Sequence, residues 1–166
     1  MTRRSVYGVL TALTAATLLA GAPSAAAAAP PDGSVIVQPF AADSGDDCPM
    51  GYTNGQLTWG VVVAPTLTIR GLVGDQPVPD APRPGCADDG RFSAATFTAY
   101  IAGRAVGSFI ERVDNGERTF VRSLSSPRPV DVVTVQVCRH SPAGGPITCG
   151  ALKRYLRPVT PAAARV

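Results

Sequence analysis

Four cysteines and one histidine are the residues of this chain best suited to covalent or metal chemistry. No two cysteines lie two to four residues apart, which is the spacing that a zinc site usually needs, so disulfides are favoured. Cys138 and Cys149 flank a turn-rich segment between two strand-like runs. A hairpin there would place them opposite each other, within bridging distance. We therefore expect the pairs Cys138–Cys149 and Cys48–Cys86.

Two pairs of aspartates flank the expected Cys48–Cys86 bridge: Asp46, Asp47, Asp88 and Asp89. If that bridge forms, their carboxylates converge, and calcium prefers several oxygen ligands from such loops. The spacing is not that of an EF-hand, and solvated acidic turns beside a disulfide are the simpler interpretation. Calcium at these four residues is therefore a hypothesis, and we expect no other cofactor or metal.

The segment from Arg139 through His140 and Ser141 to Thr148 is rich in Pro and Gly. Fixed at both ends by cysteines, it could bind a protease as a preorganised inhibitory loop. Catalysis by His140 would require Ser and Asp partners from elsewhere, and the sequence has no G-x-S-x-G, H-E-x-x-H, P-loop or G-x-G-x-x-G motif. A solvent-exposed bystander is the simpler interpretation of His140, so we predict no catalytic residues.

The first 28 residues have the features of a secretory signal peptide. Arg3 and Arg4 precede an apolar run from Val6 to Ala20, and small residues follow it. Cleavage after Ala28 or Ala26 fits the small-residue rule, and Sec-type export is favoured over a loose twin-arginine pattern. We therefore expect a secreted, extracellular protein whose mature chain contains no membrane span.

Loss of the leader changes the charge of the chain. It reduces the 15 basic residues to 13 against 12 acidic ones, a net charge of +1. Such a chain has no general attraction for nucleic acid. The remaining length, about 138 residues, fits one domain, and we expect a monomer.

The pattern of the mature chain indicates short strands and no helix. We predict strands at Gln56–Val63, Thr66–Val73, Phe92–Ile101, Ala105–Val113, Asp131–Cys138 and Ile147–Leu156. Val133, Val135 and Val137 alternate with polar residues, which indicates a core strand. Residues 29–47 read as a linker with an edge strand near Val35–Phe40, residues 48–158 as the domain, and residues 159–166 as a frayed tail.

Asn115-Gly116 is the strongest hairpin signal in the chain. A two-residue turn would set Phe109 opposite Arg122, whereas a three-residue turn would set Ile110 opposite Phe120. The second register pairs apolar residues and is preferred.

About seven short strands with frequent turns indicate an all-β fold, an antiparallel two-sheet sandwich of immunoglobulin or fibronectin type behind a cleaved signal helix. The leader, the preference for Arg over Lys, and the segments Cys86–Tyr100, Arg112–Phe120 and Val135–Gly150 resemble small secreted actinobacterial proteins with such sandwiches. This resemblance implies export and fold, and carries no activity. A fainter similarity is to neocarzinostatin-type carriers, whose cysteine spacing differs.

We therefore expect a secreted, disulfide-stabilised, noncatalytic binding module for an extracellular protein or surface ligand. One alternative is a protease inhibitor that uses the Arg139–Thr148 loop. A lower alternative is an exported hydrolase without a recognisable motif.

Overall fold

The computed structural model describes residues 35–46, 51–60, 66–76 and 87–159, and within them it forms strands and no helix. The described strands, in chain order, are β1 (Ile36–Asp43), β2 (Gly51–Trp59), β3 (Thr66–Asp75), β4 (Phe92–Ile101), β5 (Arg104–Val113), β6 (Gly116–Ser125), β7 (Val132–His140), β8 (Pro146–Cys149) and β9 (Lys153–Leu156). The leader, Cys48, Cys86, Asp47 and residues 160–166 lie outside these ranges.

These strands form two antiparallel sheets that pack face to face. The four-stranded sheet has the order β1-β2-β3-β6. The five-stranded sheet has the order β5-β4-β7-β8, and β9 also pairs with β7. The predicted all-β, two-sheet sandwich is therefore confirmed.

The core lies between the sheets and follows the period-2 pattern of the sequence. Val133, Val135 and Val137 are fully buried, as their alternation predicts. Trp59 is also buried, and its indole N–H donates to the side-chain oxygen of Gln38 at 3.2 Å. This hydrogen bond replaces the one to water that the indole N–H loses when Trp59 is buried.

The segment expected as a linker contributes an eight-residue strand. Every residue of β1 pairs with β2, from Ile36 opposite Trp59 to Asp43 opposite Tyr52. The described sandwich therefore includes residues from Ile36 onward.

The predicted hairpin at Asn115-Gly116 is wrong. β5 pairs with β4 and β6 pairs with β3, so this turn carries the chain from one sheet to the other. Phe120 instead meets Phe109 across the core, with 6.2 Å between ring centroids, whereas Ile110 lies exposed on the outer face of the other sheet.

An ion-pair cluster around a buried glutamate links the two sheets beside this turn. Glu111 of β5 is fully buried, and its two carboxylate oxygens lie 2.5 Å from Arg118 and 2.6 Å from Arg122 of β6. The two edge strands are therefore linked by charge rather than by a backbone ladder.

The last predicted strand, Ile147–Leu156, is divided into β8 and β9. Gly150 lies between them, and its N–H donates to the Val137 carbonyl at 3.0 Å. A Cβ at Gly150 would collide with the backbone carbonyl of Asp43. The break therefore lets the segment pass close to the end of β1.

Candidate functional site: an outer groove on the four-stranded sheet

A groove of about 890 Å³ crosses the solvent face of the four-stranded sheet. We call it the outer groove. It is lined by residues of all four strands: Pro39, Phe40, Asn54, Gly55, Gln56, Arg70, Gly71, Leu72, Thr119, Phe120 and Val121. Grooves of this size are the default sites for small ligands.

Two glycines form the floor of the outer groove. The strand registers align Phe40, Gly55, Gly71 and Phe120 in one row across the sheet. A Cβ at Gly71 would lie 2.9 Å from the Phe40 ring and would collide with the Asn54 carbonyl. The floor therefore depends on glycine because only a residue without a side chain permits this close approach.

Aromatic rings support this floor from the core side. Phe97 contacts Phe40 at 5.5 Å and Phe120 at 5.4 Å between ring centroids, and it stacks on Phe109 at 4.8 Å. Such packed clusters resist deformation. The groove is thus a preformed feature of the sheet.

The walls of the outer groove combine apolar and hydrogen-bonding side chains. One row across the sheet contains Asn54, Leu72 and Thr119, and the row on the other side of the glycines contains Pro39, Gln56, Arg70 and Val121. Neither the Asn54 nor the Gln56 side-chain amide forms a hydrogen bond with another described residue. A ligand could therefore use both amides as donors and acceptors.

Arg70 gives the groove a positive charge. Its side chain is exposed, and within the described ranges no carboxylate lies within ion-pair distance of it. A guanidinium at such a place favours a carboxylate or another planar anion as ligand.

Tyr52 lies beyond the lining of the groove, two residues before Asn54 on β2. Its ring lies over Gly74 of β3, where a Cβ would collide with it, and its hydroxyl donates to the Glu117 carboxylate. Burial, followed by the hydrogen bond and charge of Glu117, raises the pKa of Tyr52 to about 12. The hydroxyl is therefore protonated, and its hydrogen bond to Glu117 holds the ring over Gly74.

The predicted acidic loops do meet, and they meet around an arginine. Arg139 is only 3% exposed, and its guanidinium donates to Asp46 at 3.2 Å and to Asp89 at 2.5 Å. These hydrogen bonds and charges raise the pKa of Arg139 although burial opposes them. Asp88 instead accepts the Gly90 N–H at 2.8 Å.

The described ranges contain no group of three or more His, Cys, Asp or Glu placed to hold a metal ion. The calcium hypothesis stays a prediction, because Asp47 lies outside those ranges. Arg139 already supplies positive charge to two of the four predicted ligands.

Asp75 forms a second buried polar cluster, with Ser93 and Asn115. Asp75 at the end of β3 accepts hydrogen bonds from the Ser93 hydroxyl and, at 3.2 Å, from the Asn115 N–H. Burial raises the pKa of Asp75, while these hydrogen bonds and the charge of Arg139 oppose that rise. In the sequence Asp75 could not be distinguished from the exposed acids of the following loop.

The Cys138–Cys149 disulfide is present in the structure, between residues directly opposite each other on β7 and β8. It closes the loop that was predicted as an inhibitory segment. Arg139 at the base of this loop is buried, so a protease could reach its side chain only by breaking two ion pairs. Ser141 forms a turn with Gly144, whose N–H donates to the Ser141 carbonyl at 2.9 Å.

His140 lies against an aromatic ring rather than free in solvent. It stacks on Phe92 with 5.1 Å between ring centroids, and Arg112 lies 5.5 Å from the centroid of the same ring. Burial, and then the charge of Arg112, lowers the pKa of His140. A neutral imidazole in this stack has a packing role.

No family model, no curated protein and no solved structure matches this chain. Among the described residues, no helix has the length and apolar character needed to cross a membrane.

Proposed function

We propose that the protein is an exported, noncatalytic binding module that holds its ligand in the outer groove. The observation that carries this proposal is the groove itself, with its glycine floor and with two side-chain amides and a guanidinium that have no partner among the described residues. These groups recognise a ligand without transforming it, because no nucleophile–base pair lies among them.

A protein-observed NMR screen with a library of small organic fragments tests the binding site. Several fragments should shift the amide resonances of Asn54, Leu72 and Val121 in the isotopically labelled protein. Val121→Arg should abolish these shifts, since it places a long charged side chain across the groove.

Ile110→Arg is the matched control for that variant. Ile110 is 50% exposed and Val121 is 51% exposed, and both lie on edge strands, but Ile110 belongs to the other sheet. Fragments that cluster elsewhere, or a library without hits, would contradict the proposal.

Strand order supports an immunoglobulin- or fibronectin-like relationship. Without β1, the three strands β2-β3-β6 face β5-β4-β7-β8, which corresponds to the A-B-E and C′-C-F-G sheets of fibronectin type III domains. Many unrelated binding functions use this architecture, so it supports a module without naming a ligand.

Export is supported by the leader-like first 28 residues and by the Cys138–Cys149 disulfide, since such bridges persist in oxidising compartments. Mass spectrometry of the full chain recovered from culture medium should find an N-terminus at Ala29 or Ala27. A chain that stays in the cell with Arg3 and Arg4 attached would refute export.

Protease inhibition is the second candidate function, and the fixed base of the loop between Cys138 and Cys149 favours it. The bridge joins Cys138 to Cys149, which lies 11 residues later in the chain, and so fixes both ends of the loop. The buried Arg139 further anchors its first end. Incubation with trypsin- and subtilisin-like proteases should give inhibition without cleavage of the loop. Rapid cleavage at residues 140–148 would exclude this function.

A further inference from the structure

We propose that the ligand of the outer groove is an acidic oligosaccharide, a chain of pyranose rings that carries at least one carboxylate. This inference rests on the proposed function and names its ligand class. Four features of the groove support it: its position on the sheet face, its amides, the neighbouring tyrosine ring and Arg70.

The position of the groove disfavours an extended peptide. Peptides that bind to sheets usually add to an edge strand, where free backbone groups can continue the ladder. The floor residues Gly55 and Gly71 belong to the inner strands β2 and β3, each paired on both sides. Recognition here must therefore come from side chains.

The side chains present suit sugar hydroxyls. A hydroxyl both donates and accepts hydrogen bonds, and so do the side-chain amides of Asn54 and Gln56, which no other described residue occupies. The flat floor at Gly55 and Gly71 leaves room for a ring whose apolar face can contact Leu72 and Val121.

Tyr52 extends this surface by one further ring. It lies two residues before Asn54 on the same face of β2, about 7 Å along the strand. Its ring lies over Gly74 and is only partly buried, and we expect its exposed side to stack on the C–H face of a pyranose. A disaccharide unit could thus contact the ring and the groove together.

Arg70 accounts for the charge of the ligand. A neutral sugar would leave its guanidinium without an anionic partner, whereas a carboxylate on the ring could accept two parallel hydrogen bonds from it. The acidic residue at the far end, Glu117, is already occupied by the Tyr52 hydroxyl.

Isothermal titration calorimetry with tetrasaccharides of galacturonic, glucuronic and mannuronic acid tests this inference, with neutral tetragalactose as the comparison. At least one acidic tetrasaccharide should bind, and tetragalactose should bind about tenfold more weakly or worse. Arg70→Gln should remove that difference, while Ile110→Arg should leave it intact. Raised salt should weaken the acidic ligand selectively.

Tyr52 supplies an independent variant. Tyr52→Leu should weaken binding about fivefold or more because the stacking face is lost, whereas Tyr52→Phe should retain most of the affinity. Equal loss in both variants would show that the hydroxyl, and not the ring, matters, and would overturn the stacking arrangement.

Three other outcomes would assign the groove differently: a ligand that is not an acidic sugar, a charged peptide, or a second copy of the chain. If none of the three acidic tetrasaccharides binds while fragments still occupy the groove, the ligand class is wrong and the proposed function stands. Equal affinity for an aspartate tetrapeptide would indicate a charged peptide ligand and overturn the sugar. A dimer in sedimentation that Val121→Arg dissociates would assign the groove to a second copy of the chain, and would likewise overturn it.

Discussion

Arg139 places a full positive charge inside one end of the sandwich, where water cannot solvate it. Asp46 and Asp89 come from two separate loops and supply the opposite charge. The sequence predicts that the two acidic loops converge beside a disulfide and around a calcium ion. It does not predict that Arg139 lies between them. Asp46 and Asp89 meet Arg139 because of its position in β7. Arg139 lies on the same inward face of that strand as Val135 and Val137.

Arg139→Met should lower the free energy of unfolding by about 2–3 kcal/mol, because a buried guanidinium loses its charge-assisted hydrogen bonds to the partly exposed carboxylates of Asp46 and Asp89. Arg91→Met is the control, since Arg91 pairs with Asp89 at 3.3 Å with its side chain 40% exposed, and it should cost less than about 1 kcal/mol. Urea denaturation measures both. Similar losses in the two variants would contradict a special role for the buried guanidinium.

Asp75 predicts a pH dependence of stability. Its folded-state pKa is raised, chiefly by burial, so its ionisation penalises the folded state. The penalty is absent below the unfolded-state pKa of about 3.9 and complete above the raised folded-state pKa. As pH rises from about 3 to about 7, the wild-type protein should therefore lose stability relative to Asp75→Asn.

Chemical denaturation of both proteins across this pH range checks the trend. A difference in unfolding free energy that stays constant, or that changes in favour of the wild type, would show that Asp75 is not ionised against a burial cost.

At the scale of the strands, alternation was a good guide and the turn signal was not. β3, β4 and β7 follow their predicted segments, because each alternates between a core face and another face. Asn115-Gly116 supports a tight turn of either kind, with Asn115 at a φ of +49°. Whether the flanking strands pair with each other depends on β3 and β4, which lie far away in the sequence.

The outer groove could not be predicted for a related reason. Gly55 and Gly71 are 16 residues apart, and neither is unusual within its own strand. They form a floor only after β2 and β3 pair in one specific register with Phe40 and Phe120 on either side. A single sequence gives each strand but not this alignment.

Tyr155 protects the free edge of the four-stranded sheet. Its hydroxyl accepts the N–H of Ala41 at 2.9 Å and donates to the carbonyl of the same residue at 2.8 Å. These are edge groups of β1 that would otherwise face solvent or another chain. A side chain of the opposite sheet thereby takes the place of a neighbouring strand.

Tyr155→Phe should lower the free energy of unfolding by about 1–2 kcal/mol and increase aggregation during storage, because two hydrogen bonds are lost and the edge opens. Tyr100→Phe is the matched control and should change neither quantity measurably. Thermal melting and light scattering report the two effects. Equal behaviour of both variants would argue against edge protection.

On the scale of the whole molecule, stability is shared between the core and one described disulfide. The chain passes between the sheets after β3, β5 and β6, so neither sheet is a continuous segment. The Cys138–Cys149 bridge lies within one sheet and does not join the two. The sandwich should therefore survive the loss of this bridge.

The double variant Cys138→Ser, Cys149→Ser should lose about 3 kcal/mol of stability on the loop-entropy model and keep its native near-ultraviolet circular dichroism. Fragment binding in the outer groove should persist, since the groove lies on the other sheet. Loss of native circular dichroism at neutral pH would mean that the bridge is needed to form the fold.

β1 is an edge strand whose place beside β2 a second copy of the chain could fill. This strand pairs along its length with β2 alone, yet it supplies Pro39 to the wall of the groove and Phe40 to its floor. A β2 edge left empty in one molecule is a template for the β1 of another, and the Tyr155 hydroxyl would bind the incoming strand as it binds its own. In a pair of molecules that traded β1, each outer groove would be assembled from two chains. If the groove binds a ligand as proposed, an occupied groove would oppose strand exchange, because the ligand would contact Pro39 and Phe40 of β1.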